Sequence, residues 1–405
     1  MPSRTVCKWR HPTQAEPRPD MRVAFYAPMK PPDHPIPSGD RHLARLMMKA
    51  LQRAGHHPEL MSRFVSRDGA GDPARQARLQ ALGGRLADRL IRRLVARPPE
   101  ERPGAWFTYH VYHKAPDWLG PRVADALAIP YLIAEASSAP KRAGGPWDIG
   151  YRGANAAIAE ADAILTLNSD DWDCLQPVAT PPVLHRRMFP FVDSGPFAAA
   201  AARRGNLREG LAATGGWGPG TVLLLAVGMM RAGAKQESYA RLAEALPSLR
   251  DGDWRLLVAG DGPRRTEIEA LLEEAAPGRV QMLGALEANR LAEIYAASDV
   301  LVWPAVDEAF GIALLEAQAA GLPVVAGRQR GVPDIVAPGV TGLLPKAGDT
   351  VAFAAAVQRL INESELRAQL GASAARRVQE KFDLPTAAAM LDSTLQTVAA
   401  VGRGA

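Results

Sequence analysis

Cysteine is nearly absent: Cys7 and Cys174 are the two in 405 residues, so neither a disulfide framework nor a CxxC metal site can be built. A reducing compartment is the simplest setting. No apolar run approaches the ~20 residues needed to span a bilayer. The first twenty residues hold Arg, Lys, His and Pro without an apolar core, which excludes a secretory signal. They are expected to be a disordered leader or a mis-assigned start, with Met21 as the true beginning. The net charge of +5 is too small to argue for nucleic acid, and no recognition motif for one is present. Gly228 and Gly260 fall in no GxGxxG pattern, which counts against a dehydrogenase.

What is present is apolar and extensive. At 47% hydrophobic residues, a chain of this length can bury a sizeable core in two or three domains. Short apolar runs alternate with helical periodicity. Strands are expected at Val23–Ala27, Pro58–Met61, Ala105–Tyr109, Tyr131–Ala134 and Ile164–Leu167, then at Thr221–Val227, Arg255–Ala259, Val280–Leu283, Val300–Trp303 and Pro323–Ala326. Arg41–Arg53 reads as a helix with Leu43, Leu46, Met47 and Leu51 on one face, Asp40 as N-cap and Gly55 as its stop. Repeated strand–helix–strand units predict parallel sheets, with ligands beyond the strands' carboxyl ends.

The chain is organised around the stretch 298–342. Strand Val300–Trp303 leads to a loop with Asp307 and Glu308, and a helix begins at Gly311. The free N–H groups of Phe310, Gly311 and Ile312 form an anion site, and Gly311 lets the backbone come close. Glu316 follows Glu308 by eight positions, ~12 Å if all were helical, on the order of the span from the sugar to the ribose of a nucleotide sugar. Each carboxylate can accept two hydroxyls.

These residues carry a family resemblance. Glu308-AFGIALL-Glu316 with AQAAGLPVVA, continuing through GVPDIVAPGVTGLLPKAGD at 331–349, resembles the E-x7-E signature of retaining glycosyltransferases of the GT-B fold, family four in particular. The resemblance implies two Rossmann-like α/β domains facing across a cleft. The acceptor domain would span 21–195, the donor domain 196–383, and the last helix, within 384–405, would cross back to the first domain. MFPFVDSGPF at 188–197 resembles the family's interdomain junction without its Asn-Gly, and the alanine-rich tract from Ala198 reads as a linker and a loose helix. The sequence GMMRAGAK, residues 228–235, resembles the family's phosphate loop, with Arg231 and Lys235 neutralising a diphosphate, although Arg231 stands late and Gln236 replaces a glycine. The Gly260-Asp261-Gly262-Pro263 turn shapes the cleft, and Gly284 opens a loop that cradles the base.

On the first domain, the resemblance puts Gly39 near the donor phosphates or the acceptor and His110 against the transferred sugar. His113, Glu135 and Lys141 line acceptor loops. Asp171 and Asp173 form a D-x-D at a helix start, read as capping rather than metal binding. Residues 73–97 read as a basic helix with a leucine stripe on the core; contact with an anionic membrane is the other reading. The implied activity is retaining transfer of a hexose from a UDP- or GDP-sugar to a glycan, lipid-linked or small-molecule acceptor, in the setting of cell-envelope polysaccharide synthesis. No cofactor or metal is implied. The implied location is cytoplasmic, at most peripheral at the inner membrane face. A GT-B epimerase and a non-catalytic nucleotide-sugar-binding subunit are the alternatives.

Overall fold

The computed structural model describes residues 20–36, 38–169, 171–309 and 311–401. Two six-stranded, all-parallel sheets organise them. The first holds β1 (Arg22–Tyr26), β2 (His57–Leu60), β3 (Ala105–Val111), β4 (Tyr131–Ala136), β5 (Ala163–Thr166) and β6 (Leu184–Arg187), in the order β2-β1-β3-β4-β5-β6. The second holds β7 (Val222–Val227), β8 (Trp254–Ala259), β9 (Val280–Gly284), β10 (Val300–Trp303), β11 (Val324–Ala326) and β12 (Gly342–Leu343), in the order β12-β11-β10-β7-β8-β9. Both are the doubly wound, Rossmann-like domains expected from the alternating pattern. Their strand order reverses between β1 and β3 and between β7 and β10, and each reversal opens a crevice at the carboxyl ends.

Helices cover both faces of the first sheet. They are α1 (Gly39–Arg53), α2 (Pro73–Val95), α3 (Gly120–Leu127), α4 (Asp148–Ala159) and the short α5 (Asp171–Leu175). The α2 face toward the core holds Ala87, Leu90 and Leu94, while its arginines face solvent. Gly83 on α2 marks a close approach, since a Cβ there would lie 2.4 Å from that of Trp118. The tract from Ala198 differs from the sequence expectation. It forms two helices, α6 (Gly195–Ala201) and α7 (Arg204–Gly215), and both are held down. Phe197 packs edge-on against Tyr295 at 5.8 Å, and Arg204 and Arg208 each bind Asp299 at 2.7 Å.

The second sheet is flanked by α8 (Ala234–Ala245), α9 (Arg265–Ala275), α10 (Ala288–Ala297), α11 (Ile312–Ala319), α12 (Val332–Ile335), α13 (Thr350–Asn362) and α14 (Ser364–Lys381). The last helix, α15 (Leu384–Val401), belongs by packing to the first domain. Its Leu391, Leu395 and Val398 share one core cluster with Leu43, Met47 and Phe25. Ser194 and Leu384 both bond to Asp383 at this crossing, at 2.8 to 3.0 Å. No helix among the described residues is long and apolar enough to cross a membrane.

Candidate active site

The second domain's crevice is braced from below by glycines. Gly260 and Gly262 have φ of +143° and +154°, and a Cβ on either would come 1.9 Å from the Gly228 carbonyl or 2.3 Å from that of Met230. The β8–α9 turn therefore lies directly on the β7–α8 loop. It is bonded there from Met230 N–H to Asp261 O at 2.9 Å and from Arg264 N–H to Met230 O at 2.9 Å. Gly260 N–H reaches Gly284 O at 2.8 Å, and Gly284 itself has φ +71°. These glycines fix the loop that carries Arg231 and Lys235.

Lys235 and Glu308 meet across the strand-order reversal. Lys235 Nζ donates to Glu308 Oε2 at 2.5 Å, with both side chains about four-fifths buried. Trp303, the last residue of β10, donates its indole N–H to the same oxygen at 3.3 Å, and Lys235 stands 5.2 Å over its ring. Tyr239 buttresses Trp303 edge-on at 5.0 Å while its hydroxyl bonds to Gly228 O at 2.8 Å. The loop between them is held in left-handed backbone at Ala305 (φ +59°) and Asp307 (φ +49°), a conformation that non-glycine residues adopt at a cost of order 1–3 kcal/mol each. Gly311, at φ +74°, turns the chain into α11. Ile312 packs against the cores of both domains. Arg231 is exposed on the β7–α8 loop; burial first, and then Arg41 and Arg231, depress the pKa of Lys30 in the first domain. Phe310 lies outside the described residues.

Glu316 projects from α11 into a nearly closed environment. Its carboxylate accepts from the Tyr295 hydroxyl at 2.9 Å and stands 3.8 Å from His42 Nε2 on α1 of the first domain. Burial raises its pKa to about 7, against the opposing effect of the tyrosine bond.

The opposite wall carries a second cluster, at the reversal between β1 and β3. His110 Nδ1 lies 3.1 Å from Asp40 Oδ1 and 3.8 Å from Glu135 Oε1. His110 and Glu135 close their strands with φ of +66° and +59°. Burial alone would depress the imidazole's pKa; Glu135 and Asp40 outweigh it and raise it to about 9. The ring is therefore a cation at neutral pH. Among the described residues, Glu135 Oε2 is buried without a hydrogen-bond partner, and the Glu135 pKa is raised by burial. Gly39 opens α1, and a Cβ there would meet nothing within 4 Å, so the protein itself does not demand a glycine. His113 is not part of the His110 cluster; its ring meets Trp147 edge-on at 6.1 Å. Lys141 is exposed near it.

Residues 224–377 match the family model described as "Glycosyl transferases group 1". This part of the chain is similar to group 1 glycosyltransferases. The curated relatives extend this likeness. The chain is 33% identical over 168 residues to the sulfoquinovosyl transferase of Arabidopsis thaliana, covering 41% of this chain and 31% of that one. It is 30% identical over 236 residues to the alpha-D-kanosaminyltransferase of Streptomyces kanamyceticus, covering 57% and 59%. The matches thus span between about a third and three-fifths of these relatives' length. Solved structures extend the likeness in fold to both domains. HepE of Anabaena in complex with UDP superposes with a TM-score of 0.70 at 16% identity, over 93% of this chain and all of that one. Sucrose-phosphate synthase of Thermosynechococcus elongatus superposes with 0.69 at 20% identity, over 94% of this chain and all of that one. The fold is GT-B.

Four side chains of this site have other readings in the sequence. Asp40 reads as an N-cap, yet Ser38 caps α1 by accepting from Arg41 N–H at 3.2 Å, which leaves Asp40 to meet His110. Trp303 reads as the end of a buried strand, and its indole N–H, a donor seeking a partner at a strand's carboxyl end, was the available signal. Tyr295 and His42 lie on helical faces with nothing local to mark them. The D-x-D opens α5, where Asp171 N–H bonds to Asn168 Oδ1 at 3.0 Å.

Proposed function

We propose that the protein transfers a hexose from a UDP- or GDP-sugar to a glycan, lipid-linked or small-molecule acceptor with retention of configuration. The observation that carries this reading is the Lys235–Glu308 contact beside the amino end of α11, at the strand-order reversal of a group 1 glycosyltransferase domain. A lysine, an arginine and a helix amino end converge where a diphosphate would sit.

In this reading the donor binds mainly to the second domain. Glu308 orients the hydroxyls of the transferred sugar, and Glu316 accepts from the ribose. Gly260 and Gly284 shape the floor beneath the nucleotide, and Gly311 and Ile312 face the phosphates, the part the resemblance also gives to Phe310. As the glycosidic bond breaks, Lys235, Arg231 and the α11 amino end stabilise the charge developing on the leaving diphosphate. That diphosphate remains on the same face of the sugar and takes the proton of the incoming acceptor hydroxyl. His110, held as a cation by Asp40 and Glu135, faces the sugar from the first domain. These cationic groups do the work of a metal, and the reaction is expected to proceed in a chelator. Structures of HepE described with UDP and with UDP-glucose support a nucleotide-sugar donor.

The test is incubation with UDP- and GDP-hexoses, with and without sugar and glycolipid acceptors, followed by NMR of the products. An α-linked product from an α-linked donor is expected. A β-linked product refutes retention. Isomerised donor without transfer establishes an epimerase, and binding without turnover a carrier subunit.

A further inference from the structure

In the transferase reading the donor's negative charge is met from the second domain, by Lys235, Arg231 and the amino end of α11. The first domain nevertheless lines its side of the cleft with further cations, Lys30 among them drawn to Asp40 without reaching ion-pair distance. Lys30 and Arg67 follow β1 and β2; Lys114, Lys141 and Arg142 follow β3 and β4. Among the described residues, none of these five has a carboxylate within ion-pair distance. The carboxylates nearby are engaged elsewhere. Asp68 accepts from Ala70 and Asp72 N–H and from Gln76, and Asp148 from Gly144 N–H and Arg152.

An aromatic ridge joins these cations to the reacting centre. Ring centroids step from His110 to Tyr112 at 4.9 Å, to His113 at 5.3 Å and to Trp147 at 6.1 Å. Lys114 Nζ and Arg142 Cζ stand 5.2 and 4.9 Å from the Trp147 ring. Among the described residues, both ring nitrogens of His113 and the Nε of Arg142 are buried without a hydrogen-bond partner. The unbalanced charge is felt locally. Burial and then Arg142, Lys114 and Lys141 lower the His113 pKa to about 4; burial and then Arg41, Arg231 and Arg67 outweigh Asp40 in depressing that of Lys30. Like charges held together without counter-ions are unfavourable unless a ligand supplies the anion.

We infer that the first domain's ridge binds the anionic group of a phosphorylated acceptor, whose hydroxyl is thereby carried to His110. The inference rests on the transferase reading for the word acceptor, but its test does not. The full chain is titrated calorimetrically with glucose, glucose 6-phosphate and glucuronate, with and without saturating UDP. Glucose 6-phosphate is expected to bind at least about tenfold more tightly than glucose, as charge-assisted contacts to phosphate require. That preference should survive UDP, weaken in high salt and vanish in K141Q/R142Q and in K30Q/R67Q, while UDP affinity of K141Q/R142Q is unchanged. Tighter binding of glucuronate instead identifies the anion as a carboxylate and upholds the site. Equal binding of charged and neutral sugars, a preference kept by both folded variants, or competition with UDP overturns it. Capture by phosphatidylglycerol vesicles with no response to glucose 6-phosphate also overturns it, in favour of a lipid surface. If UDP fails to bind the parent protein, the transferase reading falls, while the comparison without UDP still decides the anion site.

Discussion

The Tyr295 hydroxyl donates to the Glu316 carboxylate at 2.9 Å, in a site buried enough to raise that acid's pKa to about 7. The ionised form is the better acceptor for two ribose hydroxyls. UDP affinity is therefore expected to rise about tenfold between about pH 6 and pH 8, since about nine in ten such groups are protonated one unit below their pKa. Ligand-free stability runs the other way. The folded pKa lies above the ordinary 4.5, so this group's contribution is greatest below 4.5 and is lost as pH rises through about 7. Titration of Glu316→Gln should show a flat UDP response across this range; a slope like that of the parent assigns the dependence to another group.

Removing Lys235 leaves Glu308 facing Trp303 alone and strips one cation from the leaving group. Lys235→Ala is expected to lower kcat by on the order of 10²–10³, as loss of a single electrostatic stabiliser does elsewhere. Circular dichroism should stay at the parent's. Single-turnover assays check the first point, and turnover equal to the parent's refutes the assignment.

Trp303 separates position from packing. Trp303→Phe removes the indole N–H that reaches Glu308 at 3.3 Å but keeps a ring against Tyr239 and beneath Lys235. The outcome expected is a several-fold loss in kcat with a change in stability of about 1 kcal/mol. Trp303→Ala should cost about 3–5 kcal/mol, because the residue is buried and a cavity remains. Urea denaturation beside steady-state kinetics distinguishes the two variants.

Asp334 ties the domains together on the rim. It accepts from Ser169 N–H at 3.1 Å, from the Ser169 hydroxyl at 3.2 Å and from Arg187 at 2.9 Å. The short α12 that carries it is bonded back toward Glu308, from Gly331 N–H to Ala309 O at 3.0 Å. Asp334→Ala should raise amide exchange at 167–169 and 331–336 and weaken donor binding a few-fold, leaving overall stability within about 1 kcal/mol. Unchanged exchange on both sides would mean that these contacts do not restrain the cleft.

Much of this site can be read from sequence because it sits where parallel strands end. Lys235 and Glu308 are 73 positions apart, yet each follows a strand bordering the same reversal, so topology alone brings them near. The same logic places His110 and Glu135. What sequence does not show is partnership between side chains. Asp40 is a reasonable cap until Ser38 takes that role two residues earlier. The tract from Ala198 lacks apolar periodicity because its helices are held by Phe197 and by arginines reaching Asp299, a long-range arrangement with no local pattern. Trp303 is hidden by its own hydrophobicity.

The placement of α15 has a practical corollary for anyone recombining such proteins. Leu391, Leu395 and Val398 complete a layer whose other half is roughly 350 residues upstream in β1 and α1. A chimera joined once, near residue 195, would graft a foreign tail onto the first domain and leave mismatched surfaces rubbing together. Two junctions are needed, the second close to Asp383, so that the terminal helix travels with the strands it covers.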